Sequence, residues 1–164
     1  MICLNIQGFI KHKNEIENVL LERFRPSILG FTKTHVTHTV EDHELEINGY
    51  ACVRENSESS RTGGVLLFVD RNIKYDVIAL NTCERNWWTI TIKISDKNYK
   101  GTLMLVYHSP SSGDAEFMDF LEETCCNKVL NGSIIIMSDF NIDMKVKNYC
   151  QSKLMRIMFW VDLK

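Results

Sequence analysis

Five short β-rich runs crowd the middle of the chain and restrict its fold more than any other feature. They read YACVRE from Tyr50, GGVLLFVD from Gly63, YDVIAL from Tyr75, WWTITIKI from Trp87 and TLMLVYH from Thr102. Each is rich in β-branched or aromatic residues. The segments between them, NSESSRTG, RNIK, NTCERN and SDKNYKG, are rich in turn formers. That alternation predicts an antiparallel meander. A different pattern precedes it. MICLNI reads as a strand ended by Gly8, and Asn14 to Phe24 places Ile16, Val19, Leu20 and Phe24 on one helical face. Pro26 stops the helix, and SILGFT is a second strand. A strand–helix–strand opening joined to a meander predicts an α/β fold.

The remainder continues the alternation. Ser112 or Asp114 can cap a helix running through Cys125, with Phe117, Phe120 and Leu121 on its apolar face. Ser133 to Ser138 reads as a late strand, and Asn148 to Phe159 as an amphipathic helix. No repeat or low-complexity tract divides residues 1–164, which predicts a single domain.

Composition narrows the function. Hydrophobic residues make up 45% of the 164 and charged residues 24%, the balance of a globular protein with a sizeable core. The formal net charge of −2 supplies no global field for nucleic acid, so DNA binding would need a local basic rim. Six cysteines, Cys3, Cys52, Cys83, Cys125, Cys126 and Cys150, show no CxxC or zinc-finger spacing. They read as reduced thiols of an intracellular protein, nuclear or cytoplasmic. MICLNIQGFIKHK is too polar for a signal peptide, and no stretch approaches the ~20 apolar residues of a membrane span, so no membrane partner is predicted.

Chemistry concentrates at strand ends. Asn5, the Lys33–His35 cluster, Tyr107 with His108, and Asp139 with Asn141 each close an apolar run. The densest is IIIMSDFNID, Ile134 to Asp143. A turn explains it, because Asp and Asn bond nearby backbone. A metal-assisted site explains it too, because open sheets place their chemistry at carboxyl ends. Tyr107 could simply bury its ring, and RTGGVLLFV could be a tight turn whose Gly63 and Gly64 serve backbone freedom alone.

The order of the pieces breaks the tie. LNIQGF, PSILGFTKTHV, INGYACVRENSESSRTGGVLLFVD, LVYHSPSS and IIIMSDFNID resemble the endonuclease/exonuclease/phosphatase superfamily. The branch most similar is the apurinic-endonuclease-like domain of insect LINE-type, non-LTR retrotransposons. The resemblance implies a two-layer β-sandwich flanked by helices, the deoxyribonuclease-like fold, and Mg²⁺-dependent hydrolysis of DNA phosphodiesters. It implies DNA as partner, with a reverse transcriptase domain if the natural chain continues. By resemblance, Asn5 helps hold metal and phosphate, with Asp139 the other possible metal ligand. Tyr107 contacts the scissile phosphate, Asp139 orients or deprotonates the attacking water, and Asn141 hydrogen-bonds the phosphate. Arg61, before the double glycine, is a phosphate contact.

Two departures cut against activity. The metal-binding glutamate of the family's second strand is replaced by Lys33 in FTKTHV. An ammonium donates hydrogen bonds and accepts none, so it cannot ligate a cation. The family's late serine, aspartate and histidine run has no counterpart before Lys164, so the fold is expected to be incomplete at the C-terminus. The expectation is therefore a catalytically impaired endonuclease-like domain, with Lys33 pairing with Asp139 in place of the ion. The alternatives are an inactive nucleic-acid-binding remnant, a phosphatase-type member of the superfamily, and a small α/β interaction module.

Overall fold

The computed structural model describes residues 1–83, 85–110, 114–129 and 133–162. Two four-stranded sheets pack face to face with helices on their outer sides. The first has the order β1 (Ile2–Asn5), β2 (Ile28–Thr32), β4 (Val65–Asp70), β3 (Tyr50–Glu55). The second runs β5 (Tyr75–Cys83), β6 (Trp87–Ser95), β7 (Lys100–His108), β8 (Ile134–Asp139). The expected α/β sandwich is thus present. The expected single meander is not: β3 and β4 pair with β2, while β5 to β7 form the antiparallel part of the opposite sheet. Turn-rich segments mark where strands end, but long-range hydrogen bonding decides which sheet each joins.

Side-chain alternation explains the layers. In β4, Val65, Leu67 and Val69 face the other sheet, and Leu66 and Phe68 face the outer helical layer. In β7, Leu103, Leu105 and Tyr107 point between the sheets, whereas Met104 and Val106 point outward. A strand covered on both faces reads as an unbroken apolar run, which is why GGVLLFVD and TLMLVYH show no polar face. Gly30 belongs to this packing. A Cβ there would approach Leu105 Cδ1 to 2.8 Å, so the glycine lets the sheets close.

The outer layers fasten the sandwich. After Gly8 (φ 113) comes α1 (Phe9–Glu15), five residues earlier than the apolar spacing predicts, then a π-helical stretch, Ile16–Leu21, and α2 (Glu22–Phe24). Phe9, Phe31 and Phe68 cluster beneath it, with ring centroids 5.4–5.9 Å apart. A short α3 (Asp42–Leu45) is held by a capping box between Glu41 and Glu44. The second sheet is covered by α4 (Asp114–Val129) and α5 (Tyr149–Asp162), the two late helices that the sequence predicts. Between them Lys153 reaches both Asp119 and Glu122, and Arg156 reaches Glu122 at 2.7 Å. Ser112, one of the two candidate caps for α4, lies outside the described residues.

The segment NTCERN, expected as a turn, instead lengthens β5. Asn81, Thr82 and Cys83 pair with Thr89, Trp88 and Trp87, and the turn itself shrinks to a few residues around Asn86. Pairing outweighs local turn preference here.

Candidate functional site

β1 and β2 are parallel, and so are β7 and β8, so four carboxyl ends lie at one edge of the sandwich. The period-two alternation then selects which residues face inward there. Cys3 packs into the inter-sheet core, which gives Asn5 the same orientation. Ile28 fixes that of Thr32, Leu105 that of Tyr107, and Met137 that of Asp139. Asn5 lies opposite Thr32 in its sheet, and Tyr107 opposite Asp139 in the other. The two sheets are bridged where they meet: Asn5 Nδ2 donates to Asp139 Oδ2 at 2.7 Å. A hydrogen bond across 134 residues of sequence places the first and last of the predicted strand ends side by side.

Tyr107 is fully buried beside them, and its hydroxyl makes no hydrogen bond of acceptable geometry. Burial, then the charge of Asp139, push the phenol pKa up, while the nearby Ser109 hydroxyl partly offsets the shift. Thr32 Oγ1 is likewise buried without a partner. Such hydroxyls are uncommon, because a buried polar group normally finds a partner. Cys3 lies within the same field. Its thiol is pushed up to about 11, first by burial and second by Asp139. Thr32 and Cys3 are site neighbours that residue-type reasoning missed; their inward parity at the ends of β1 and β2 was the available signal.

Asn141 is anchored rather than free. It adopts φ 50, and its Nδ2 donates to the backbone oxygen of His108 at 2.7 Å. His108 returns the link, because its Nδ1 meets Phe140 O at 2.8 Å and must carry the proton, a carbonyl being only an acceptor. Its ring stacks on Phe117 with centroids 4.2 Å apart. Burial drives its pKa down, against the opposing pull of the Phe140 bond, Asp114 and Asp139. The neutral imidazole therefore ties the loop after β8 to the end of β7 and to α4.

Lys33 does not pair with Asp139. Asn5 occupies that carboxylate, and Lys33 is in no ion pair among the described residues. Its backbone turns left-handed (φ 56), and its charge is felt by His35, whose pKa falls chiefly through burial and secondly through Lys33. Arg61 is also apart from the Asn5–Asp139 pair. It is exposed in the loop between β3 and β4, at a separate cleft with Trp88. Gly63 and Gly64 do more than free the backbone. Their φ values are 82 and 79, and a Cβ on Gly63 would overlap the Trp88 indole. Trp88 in turn stacks on Tyr107, with centroids 5.6 Å apart.

A divalent cation fits this donor set poorly. No group of three or more His, Cys, Asp or Glu side chains converges among the described residues. Asp139 is the one carboxylate at the strand-end pair, and its Oδ2 already accepts from an amide. Mg²⁺ prefers hard oxygens in near-octahedral array. The arrangement supplies instead an amide, a carboxylate and two hydroxyls with spare hydrogen-bonding capacity, a set suited to a polar oxygen-rich ligand.

No family model and no curated protein matches the sequence. Solved structures do. The endonuclease domain of TRAS1, a telomere-specific non-LTR retrotransposon, superposes with a TM-score of 0.70 at 11% identity, over 98% of this chain and 69% of that one. The catalytic domain of Xenopus laevis APE2 gives 0.67 at 17% identity, over 94% and 66%. The 3′ phosphatase NExo from Neisseria, solved with a product DNA hairpin, gives 0.63 at 15% identity, over 96% and 70%. The chain thus spans about two thirds of the length of these structures. Its fold is the deoxyribonuclease-like fold of the endonuclease/exonuclease/phosphatase structures, as the ordered motifs imply.

Proposed function

We propose that the chain is an endonuclease-like domain of the non-LTR, LINE-type retrotransposon kind, which binds DNA phosphodiesters and hydrolyses them poorly. The observation that carries the reading is the Asn5–Asp139 bond, formed where parallel strands of both sheets end beside the orphaned Tyr107 hydroxyl. Water attack on a phosphodiester needs a positioned base and cationic stabilisation of developing charge. Asp139 supplies the first. Lys33, standing where the family resemblance implies a glutamate, withholds the second by removing a cation ligand. Asn5, Tyr107 and Asn141 are then groups that position the phosphate. Mg²⁺ binds weakly in this reading and DNA is the partner, in the nucleus or cytoplasm, with a reverse transcriptase domain if the natural chain continues. No described helix is long and apolar enough to cross a membrane.

A phosphatase reading has its own support, since a mannosyl-6-phosphatase and the NExo 3′ phosphatase share the fold at TM-scores of 0.62 and 0.63. Both readings place a phosphate ester at Asp139. Calorimetric titration of Mg²⁺ separates impaired from active enzyme: the chain as it stands should bind weakly, and Lys33→Glu should bind more tightly. Equal, tight binding by both would remove Lys33 from the explanation. Hydrolysis of a phosphomonoester but not of DNA would favour the phosphatase.

A further inference from the structure

The geometry points to a second phosphate-binding subsite, formed by Arg61 and Arg85 over Trp88, that holds the DNA backbone beside the Asp139 site. It rests on the DNA-binding reading above and adds a place and a direction for the strand.

The subsite is a cleft of about 470 Å³ whose lining includes Arg61, Arg85, Ser59, Thr62, Glu58 and Trp88. Both arginines are exposed. Among the described residues, neither guanidinium is in an ion pair or a side-chain hydrogen bond, in contrast to Arg54, which bonds Asp42, Asn56 and two backbone oxygens. Among the described residues Glu58 is the one acid in the lining, against two arginines, on a chain whose net charge is −2. Guanidinium groups match phosphate oxygens in a two-pronged geometry that a lysine cannot reproduce.

The loops that carry the arginines are built rather than slack. Ser57 Oγ donates to the backbone oxygens of Ser59 and Thr62, and Ser59 and Thr62 form an isolated bridge. Arg85 sits at φ 62 in the tight turn between β5 and β6. The floor is fixed as well: Trp88 Nε1 donates to Asn56 O at 3.0 Å, and Gly63 leaves room for the ring.

The cleft has a defined relation to the strand-end site. Trp88, Tyr107 and Asp139 are register partners in a row across β6, β7 and β8. Adjacent strands lie about 4.8 Å apart, so the cleft floor and Asp139 are separated by roughly 10 Å. That is about three base pairs of rise along a duplex axis at 3.4 Å each. One strand can therefore present one phosphate at Asp139 and another to the arginines. The local basic rim that DNA binding requires is supplied here.

The test is anisotropy of a fluorescein-labelled 20-base-pair DNA duplex in EDTA, where no hydrolysis occurs, over a series of salt concentrations. Arg61→Ala and Arg85→Ala should each weaken binding several-fold, irrespective of DNA sequence. Each should lower the slope of log K against log salt by about 0.9, the value for one lost phosphate contact. Arg85→Glu should weaken it further and Arg85→Lys less, and all variants should keep the melting temperature of the parent, since both side chains are exposed. Parent-like affinity and slope in Arg61→Ala and Arg85→Ala, with the parent binding DNA, would overturn the subsite while leaving the DNA reading intact. A parent that binds no DNA would overturn both. Preference for an RNA duplex of the same length, with the arginines indifferent, would also overturn it.

Discussion

Gly63→Ala should cost far more than an exposed glycine replacement. Two penalties add. The native φ of 82 lies in the left-handed region, which costs an L-residue about 1–2 kcal/mol. The new methyl would also overlap the Trp88 ring, approaching Cε2 to 2.7 Å. Trp88 is 1% exposed, stacks on Tyr107 and is hydrogen-bonded to Asn56, so it has little room to retreat. Overpacking of this kind costs about 1–3 kcal/mol. The sum is roughly 2–5 kcal/mol, a large part of the stability of a domain this size. Urea denaturation followed by far-UV circular dichroism measures it, and an unchanged m-value would show that the loss lies in the folded state. A loss below about 1 kcal/mol would mean that Trp88 moves freely, and that the row from Trp88 to Asp139 is not rigid. Anchored packing would then be the wrong account of the double glycine.

Other substitutions separate parts of the site. Gly30→Ala should cost about 1–3 kcal/mol by forcing Leu105 and Met137 aside, less than Gly63→Ala because the obstructing atoms are flexible side-chain ends and no unusual φ is required; a cost equal to that of Gly63→Ala would contradict this ranking. Asp139→Asn should lower the Cys3 pKa from about 11 but leave it above the ordinary thiol value, since burial is the larger cause; the pH dependence of Cys3 alkylation, read by peptide mass mapping, reports it, and no change would place Asp139 elsewhere. Burial depresses both His108 and His35 below 6.5 in the folded state. The unfolded chain therefore takes up protons first, and stability should be kept above pH 6.5 and lost as pH falls from 6.5 through the folded values. His108→Gln should make that loss shallower in urea titrations across pH, and an identical slope would mean that His108 is not buried neutral.

The sandwich was legible because both its cues are local. Runs such as GGVLLFVD and TLMLVYH carry the composition of strands covered on both faces, and Gly8 and Pro26 punctuate the opening helix region. That the ends of β1 and β8 meet at one edge was legible from motif order; that Asn5 bonds Asp139 directly was not. What stayed hidden depends on competition between distant partners. Nothing in YACVRE or GGVLLFVD says which sheet it joins, because partner choice rests on backbone pairing across the chain. Lys33 was expected at Asp139 because it stands where the resemblance implies a metal-binding glutamate, yet the shorter Asn5 side chain on an adjoining strand end reaches the carboxylate instead. Arg61 reads as a phosphate contact by resemblance, but its cleft with Arg85 and Trp88 was hidden. Arg85 lies in a segment that reads only as a turn, and its neighbour Trp88 becomes a floor only once β5 and β6 are paired.

Supercoiled plasmid nicking with and without Mg²⁺, run on the parent chain, Lys33→Glu and Asp139→Asn, tests the central claim most directly. The account predicts that the parent binds plasmid yet nicks it no faster with Mg²⁺ than in EDTA. Lys33→Glu should bind Mg²⁺ more tightly and nick detectably, and Asp139→Asn should stay at background. Rapid Mg²⁺-dependent nicking by the parent, lost in Asp139→Asn, would contradict the account and make this chain an active metal-dependent endonuclease despite Lys33.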